Sequence, residues 1–199
     1  FKQAGNYKRS NGKHIVFLGR LVKRKGPKQL LEAFSEMSRK IPDARLTIAG
    51  DGPMRAELQA YAKKRKIDKK VTFLGFIDEQ DKPKILACAD IACFPSLFGE
   101  SFGIVLIEAM AAGAGVVIGG NNPGYTSVLG ARPEVLFDPK NRQEFAGKLE
   151  EFLNNRQLFD DIHAWQAQHV KNYDVQVVGP KLVEIYNGAI AKARHSVDN

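Results

Sequence analysis

Two glutamates stand eight residues apart in the segment GESFGIVLIEAMAAGAGVV, which runs from Gly99 to Val117. Glu100 follows a loop glycine, whereas Glu108 lies in a small and apolar stretch that predicts a helix from about residue 102 or 103 to Ala112. The free backbone amides at a helix start bind anions such as phosphate. Glu108 lies about five residues into this helix, roughly 7.5 Å along its axis. One ligand made of a sugar, phosphates and a ribose could therefore contact Glu100, the helix start and Glu108 in turn.

The carboxylate of Glu100 would repel a diphosphate at the helix start, so we interpret it as a ligand of uncharged groups. A carboxylate accepts two or more hydrogen bonds, which makes the neighbouring hydroxyls of a sugar its natural partner. For Glu108 the spacing leaves an alternative open, namely a structural glutamate that a cap or a partner side chain satisfies.

The segment GRLVKRKG, residues 19–26, supplies cations after the first predicted strand. Arg20 comes directly after the strand end, where an arginine can reach into a crevice and pair with phosphate. The alternative is ordinary solvated loop charge. The segment is not a dinucleotide fingerprint, GDGP at 50–53 does not complete one either, and the phosphate loop G-x-x-x-x-G-K-[ST] does not occur.

Short β-branched runs alternate with amphipathic helical stretches along most of the chain. The predicted strands are residues 14–18, 45–50, 71–75, 90–96, 115–119 and 134–137, with helices at 27–39, 53–66, 81–89 and about 102–112. This alternation without hairpin turns predicts an α/β fold: a Rossmann-like parallel sheet of about six strands flanked by helices on both faces. From about Asn141 the pattern is helical only and forms a C-terminal tail. Open parallel sheets bind ligands at the carboxyl ends of their strands, where the loops described above lie.

The composition limits the compartment and the partners. The chain has 199 residues, a net charge of +8 and no apolar run of the ~18 residues that a membrane span needs. Two cysteines give no disulfide framework, so we expect a cytoplasmic setting. Basic segments at 13–28 and 63–70 suit phosphorylated ligands or an anionic membrane surface. Nucleic acid is not an expected partner, because no aromatic residues interleave these cations.

Five ordered motifs together resemble the retaining glycosyltransferases of the GT-B fold, in the large family 4 group. ESFGIVLIEAMAAG resembles the E-x7-E signature of that family, and FLGRLVKRKG resembles its phosphate loop. LTIAGDGP is similar to the family's G-x-G segment, VTFLGFID to its base-binding turn, and ADIACFPS precedes the E-x7-E segment as in the family. The match covers about residues 13–130 and is most similar to phosphatidylinositol mannosyltransferases, which use GDP-mannose.

The resemblance implies the donor-binding half of a two-domain enzyme that transfers a hexose from a nucleotide diphosphate sugar, of the GDP-mannose or UDP-glucose type, to a lipid or saccharide acceptor. It implies that Arg20 and Lys25 hold the diphosphate and that Glu100 binds hydroxyls of the hexose. The backbone of Ile77 would meet the base, with Lys82 nearby, and Glu108 would bind the ribose. The full set of implied donor-binding residues is Gly19, Gly50, Gly52, Ile77, Lys82, Ser101, Phe102, Gly103, Ile104 and Glu108.

The resemblance also implies that the enzyme needs no metal ion and no cofactor besides its sugar-nucleotide substrate, and the chain has no D-x-D motif. Residues 1–12 would be a linker from an N-terminal acceptor domain that the chain lacks, residues 13–174 the nucleotide-sugar-binding domain, and residues 175–199 a helix packing toward the missing domain. We therefore expect the fragment alone to be inactive, and peripheral contact with the inner face of the cell membrane is compatible with its charge.

One departure and two alternatives remain. Family members often have G-G-x-x-E after the fifth strand, whereas this chain reads GGNNPGYTSVLG with a Gly–Tyr pair instead of the glutamate. The main alternative is a non-catalytic nucleotide-binding module with the same fold. An NAD-dependent dehydrogenase domain is disfavoured because the glycine fingerprint and its acidic ribose ligand are absent.

Overall fold

A parallel β-sheet forms the centre of the chain. The computed structural model describes the backbone of residues 12–197 and the side chains of residues 12–190. Within that range the strands are β1 His14–Leu18, β2 Arg45–Ala49, β3 Val71–Gly75, β4 Ile91–Phe94, β5 Val116–Gly120 and β6 Leu136–Phe137. They form one sheet in the order β3-β2-β1-β4-β5-β6, and every neighbouring pair is parallel. The predicted Rossmann-like sheet of six parallel strands is confirmed.

Helices flank the sheet and connect its strands. They are α1 Pro27–Lys40, α2 Arg55–Lys64, α3 Lys82–Ala87, α4 Ile104–Ala111, α5 Pro123–Leu129, α6 Arg142–Asn154, α7 Arg156–His169 and α8 Val175–Val197. Short 3-10 turns lie at Lys23–Lys25, Asp68–Lys70, Pro133–Val135 and Val170–Tyr173. Right-handed crossovers that run in opposite directions from the centre of the sheet put helices on both of its faces.

The centre of the sheet is a topological switch point. The chain leaves β1 toward β2 on one side and leaves β4 toward β5 on the other, although β1 and β4 are paired neighbours. The loops that follow these two strands therefore separate and leave a crevice at the carboxyl edge of the sheet. Those loops are the predicted phosphate loop, residues 19–26, and the loop that carries Glu100.

Several element boundaries differ from the sequence-based prediction. Helix α2 begins at Arg55 rather than residue 53, and β4 covers Ile91–Phe94 rather than residues 90–96. The last strand is only Leu136–Phe137, because Pro133–Val135 forms a 3-10 turn. Helix α5 was not expected: the side chain of Asn122 accepts a hydrogen bond from the Tyr125 amide at 3.1 Å and caps it.

Strand β3 corrects the expectation that all strands are buried on both faces. It is an edge strand, and Thr72 and Leu74 are exposed on one of its sides. Most apolar side chains of the other strands are buried in one continuous hydrophobic core. The apolar pattern predicted a strand correctly, but the position of a strand in the sheet order is not encoded in that pattern.

Helix α7 completes the hydrogen bonding of β5. The side-chain amide of Gln166 accepts from the Val117 N–H at 2.9 Å and donates to the Val117 carbonyl oxygen at 2.7 Å. Strand β6 pairs only with Gly119 and Gly120 of β5, so it is too short to form backbone hydrogen bonds with Val117. A buried side chain thus occupies the position of a missing strand residue.

Helix α8 extends from the domain with its apolar side chains exposed. The exposed large residues on it are Val175, Val177, Leu182, Val183, Ile185, Tyr186 and Ile190. The described part of the chain contains no helix that is both long and apolar enough to span a bilayer. The predicted linker, apart from Gly12, and the last two residues of the predicted C-terminal helix lie outside the described residues.

Candidate functional site

The phosphate loop is clamped against the loop after β4 by backbone contacts. The amide of Leu97 donates to the carbonyl oxygen of Arg24 at 2.8 Å. Gly26 has a φ of +69°, and a Cβ there would lie only 2.0 Å from the carbonyl oxygen of Pro95. Only glycine fits both the left-handed backbone and this close approach. Packing therefore requires glycine at position 26, next to Lys25 at the end of the loop.

Glu100 lies beside Lys25, as the resemblance implies for two groups of one site. Nζ of Lys25 donates to Oε1 of Glu100 at 2.7 Å, and Nη1 of Arg24 donates to the same oxygen at 3.3 Å. The carboxylate side chain is only 11% exposed, so these ion pairs are partly shielded from water. Charge-assisted hydrogen bonds of this kind are stronger than neutral ones. The structure thus joins two loops that are 75 residues apart in sequence.

The start of α4 faces the same crevice. Gly103 precedes the helix with a φ of +103°, and a Cβ there would lie 2.8 Å from the ring of Tyr125. The first amides of a helix have no partner within it, so those of Ile104 and Val105 are available to an anion. Ser101 and Phe102 are exposed in the turn before the helix, and the Phe102 ring packs edge-on to Tyr173 at 5.9 Å.

Glu108 is half-buried on α4 and faces the charges around Lys82. Burial raises the pKa of the Glu108 carboxyl, the positive charge of Lys82 counteracts this in part, and Glu79 adds to the increase. No described residue makes an ion pair or a side-chain hydrogen bond with Glu108. The proposed contact of Glu108 with a ribose stays a prediction.

A cavity of about 230 Å³ connects the phosphate loop to the predicted base-binding turn. Its lining includes Leu18, Gly19, Arg20, Ala49, Gly50, Asp51, Phe76, Ile77, Glu79 and Lys82. Lys82 forms an ion pair with Glu79 at the rim. The exposed guanidinium of Arg20 has no hydrogen-bond or ion-pair partner among the described residues. Five of the predicted site residues, from three different loops, therefore share one cavity.

Gly50 and Gly52 support the loop that Arg20 occupies. A Cβ at Gly50 would lie 2.0 Å from the Gly19 carbonyl oxygen, and one at Gly52 would lie 2.6 Å from the Leu21 carbonyl oxygen. Gly50 also lines the cavity, whereas Gly52 does not. The G-x-G segment thus lets the loop after β2 approach the loop after β1 closely. This packing role does not depend on a ligand.

The unusual GGNNPGY loop packs directly against the Glu100 loop. A Cβ at Gly124 would lie 2.3 Å from the Glu100 carbonyl oxygen. The buried hydroxyl of Tyr125 lies 3.0 Å from Oγ of Ser96, at the end of β4. Burial raises the pKa of Tyr125, so the phenol is a neutral hydrogen-bonding group. The Gly–Tyr pair therefore supports the backbone of the Glu100 loop.

Sequence reasoning missed two residues that the structure brings to the site, Arg24 and Glu79. Arg24 stands between Lys23 and Lys25 in a run of cations, and no spacing distinguishes it from its neighbours. Glu79 lies three residues before Lys82, a spacing that pairs opposite charges near a helix start, and this signal could have found it.

Fold and crevice together define a Rossmann-like α/β domain whose cations and helix start meet at the carboxyl edge of the sheet. The chain belongs to the glycosyl transferases group 1 family, whose model matches residues 2–168. It is 34% identical to the phosphatidyl-myo-inositol mannosyltransferase of Mycobacterium leprae and 35% identical to that of Mycobacterium tuberculosis strain H37Rv. Both matches cover 88% of this chain, and the chain spans about half the length of these relatives, 46% and 47% respectively.

Solved structures share the fold. Anabaena Alr3699/HepE in complex with UDP superimposes with a TM-score of 0.80 at 23% identity, over 89% of this chain and 49% of that one. The C-terminal domain of a glycosyl transferase group 1 family protein, LpcC of Francisella tularensis, matches with a TM-score of 0.71 at 27% identity. That match covers 86% of this chain and 94% of the other. The predicted family resemblance is confirmed.

Proposed function

We propose that this chain is the donor-binding domain of a retaining glycosyltransferase, which transfers a hexose from a nucleotide diphosphate sugar to a lipid or saccharide acceptor. The observation that carries the proposal is the meeting of Lys25, Glu100 and the α4 start at the switch point of the sheet. Membership of the family supports the reaction class. The names of the mycobacterial relatives favour a mannose donor. The UDP bound to HepE is the reason for including a UDP-sugar as a second candidate donor.

Each group has a role that follows from its charge. Arg20 and Lys25 bind the diphosphate and, together with the α4 amides, stabilise the negative charge that develops on the leaving phosphate. Glu100 accepts hydrogen bonds from hydroxyls of the hexose, and Glu108 accepts them from the ribose. The base enters the cavity beside Ile77 and Lys82.

Fixed cations and helix amides take over the work that a divalent ion does in other sugar transferases, so we propose that donor binding needs no metal. Retention of stereochemistry would follow a front-face route in which the leaving phosphate assists. The acceptor site would belong to a second, N-terminal domain, and transfer by these 199 residues alone would be weak or absent.

Helix α8 is the segment that we propose contacts that second domain. Its exposed side chains include Val183, Tyr186 and Ile190, and it makes few contacts with the rest of the domain beyond the 3-10 turn at Val170–Tyr173. Deleting residues 175–199 should change the free energy of unfolding by less than about 1 kcal/mol, because the described side chains of α8, residues 175–190, bury little apolar area. A larger loss on chemical denaturation would show that α8 stabilises its own domain instead.

The basic segment at 63–70 is the part that we propose for peripheral contact with an anionic membrane. Lys63, Lys64, Lys66 and Lys69 are exposed there, in the last turn of α2 and just after it, away from the crevice. Such a contact would be cytoplasmic and electrostatic, and salt would weaken it.

Calorimetric titration tests the proposal on the chain as it stands. We expect GDP-mannose or UDP-glucose to bind in buffer containing EDTA, and we expect Glu108→Ala to weaken that binding. Glu151→Ala removes a carboxylate on α6 that pairs with Lys148, remote from the crevice, and serves as the control. Failure of both sugar nucleotides and of an ADP-sugar to bind, or unchanged binding by Glu108→Ala, would overturn the assignment. Binding of nucleotide with no contribution from the hexose would favour the non-catalytic module.

A further inference from the structure

Arg24 connects the phosphate loop to the Glu100 loop through three contacts. Its guanidinium donates to the Glu100 carboxylate and to the Gly99 carbonyl oxygen, each at 3.3 Å. Its own carbonyl oxygen accepts from the Leu97 amide. Gly99 has a φ of +76°, so the turn that presents Glu100 is held in a conformation that favours glycine. Arg24 thus contacts both the carboxylate and the backbone of that turn.

Four charged side chains of the phosphate loop and the Glu100 loop lie next to the proposed diphosphate position. Arg20, Arg24 and Lys25 are positive and Glu100 is negative, which leaves a net charge of +2 from three cations and one anion. The diphosphate of a sugar nucleotide carries one negative charge on each phosphate. Arg24 can therefore stay with the carboxylate while Arg20 and Lys25 face the two phosphate charges.

Lys25 has two competing partners in the proposed function. It pairs with Glu100 at 2.7 Å, yet it is also the cation next to the α4 start where the diphosphate would bind. An ammonium group that turns toward a phosphate gives up part of its interaction with the carboxylate. Glu100 is 11% exposed, and a carboxylate that is so shielded from water needs a remaining cation as its partner.

We propose that Arg24 is a positioning residue for hexose recognition: it keeps the Glu100 carboxylate paired and aimed at the sugar while Lys25 and Arg20 engage the diphosphate. This inference rests on the proposed function of the site. Arg24 acts through Glu100 and the turn at Gly99 and does not itself bind phosphate. Its effect should therefore appear in the affinity that the hexose adds, and not in the affinity for the nucleotide.

The test compares GDP-mannose with GDP, or UDP-glucose with UDP if that pair binds the wild-type chain. We expect Arg24→Met to weaken the sugar nucleotide about tenfold, in line with the loss of one charge-assisted hydrogen bond, and to leave the diphosphate within about a factor of two. Arg24→Lys retains the charge and should recover part of the loss. Arg142→Met removes an arginine on α6 that pairs with Glu36, and it should change neither affinity.

The direction of the effect separates positioning from simple charge removal. A free nucleoside diphosphate carries more negative charge than its sugar ester, so losing a cation from the site would weaken GDP more than GDP-mannose. A selective loss of GDP-mannose affinity runs against this trend. Equal weakening of both ligands would make Arg24 a phosphate ligand and overturn the inference, as would no change in either.

Two further outcomes remain decisive. If Arg24→Met does not fold, the Arg24→Lys variant decides, because the inference requires it to lose part of the hexose contribution while keeping GDP affinity. If the wild-type chain binds no nucleotide, the proposed function itself fails. If it binds nucleotide and Arg24 proves indifferent, only the positioning role fails.

Discussion

The ammonium group of Lys25 and the carboxylate of Glu100 lie 2.7 Å apart and partly neutralise each other. The two residues have different proposed ligands, phosphate for Lys25 and sugar hydroxyls for Glu100. The ion pair therefore links the diphosphate and hexose halves of the site, and changing one residue should alter the ligand preference of the other.

Glu100→Gln should increase the affinity for a nucleoside diphosphate while removing the affinity that the hexose adds. The neutral amide releases Lys25, so we expect GDP to bind on the order of 3–10 times more tightly, a gain that added salt should reduce. Calorimetry with GDP and GDP-mannose at two salt concentrations measures both effects. The Glu151→Gln variant on α6 is the control, and a loss of GDP affinity in Glu100→Gln would contradict the linkage.

Glu108→Gln should weaken the sugar nucleotide and yet stabilise the fold. The pKa of Glu108 is raised by burial, so its ionised form is disfavoured in the folded protein and costs stability above the raised pKa. The neutral amide avoids that cost, and the variant should melt at a higher temperature than the wild type at pH 7. Below the usual pKa of 4.5 the carboxyl is protonated in both states, so the two melting temperatures should converge.

The same pKa shift predicts how binding depends on pH. As pH falls toward the raised pKa, Glu108 takes up a proton and becomes a poorer acceptor for the ribose hydroxyls. As the pH is lowered, the affinity of the wild type for a sugar nucleotide should therefore begin to fall while the pH is still above 4.5, and the affinity of Glu108→Gln should change much less. A sugar nucleotide is the better probe than GDP, whose terminal phosphate titrates near pH 6. Identical pH profiles for the two proteins would contradict a role for this carboxylate.

Gly26→Ala should destabilise the chain by about 2–4 kcal/mol, because it combines a left-handed backbone with a clash against the Pro95 carbonyl oxygen. Gly147→Ala provides the opposite case: Gly147 lies inside α6 with nothing within 4 Å of an added Cβ. It should stabilise by about 0.5–1 kcal/mol. Urea denaturation measures both variants. Equal effects at the two positions would show that the close contact between Gly26 and the Pro95 carbonyl oxygen is less rigid than the structure indicates.

Gln166→Leu should cost about 2–4 kcal/mol, since it leaves the buried N–H and carbonyl oxygen of Val117 without partners. The amide of Val117 should also exchange its hydrogen faster with solvent. Gln168→Leu changes an exposed residue two positions along the same helix, and it should alter stability by less than about 0.5 kcal/mol. If both variants unfold at the same urea concentration, α7 does not support β5 in this way.

The parallel character of the sheet and most of its elements follow from local sequence. Apolar runs such as HIVFL alternate with amphipathic helices, and a parallel sheet covered by helices is the usual way in which such strands are buried. Helix α5 escaped prediction because Pro123 and Gly124 look like loop residues, and only the cap from Asn122 makes the segment helical. The exposure of β3 depends on its place at the sheet edge, which no local pattern encodes.

The site was predictable to the extent that it is built from strand ends. Arg20, Glu100 and Glu108 follow from residue type and position after a strand or on a helix. The contact between Arg24 and Glu100 spans 76 residues and depends on how two loops pack, so the run of cations could not single it out. The role of Gln166 could not be predicted from sequence either, because no pattern marks a single glutamine on an amphipathic helix as buried.

The glycines at the strand ends have a consequence for redesigning this domain. Gly26, Gly50 and Gly52 each leave no room for a side chain, so these positions tolerate almost no variation. Phe76 and Glu79, by contrast, are exposed at the mouth of the cavity where the base would enter. A library confined to residues 76–82 could therefore exchange one nucleobase preference for another while the rigid glycine framework keeps the phosphate-binding loops unchanged.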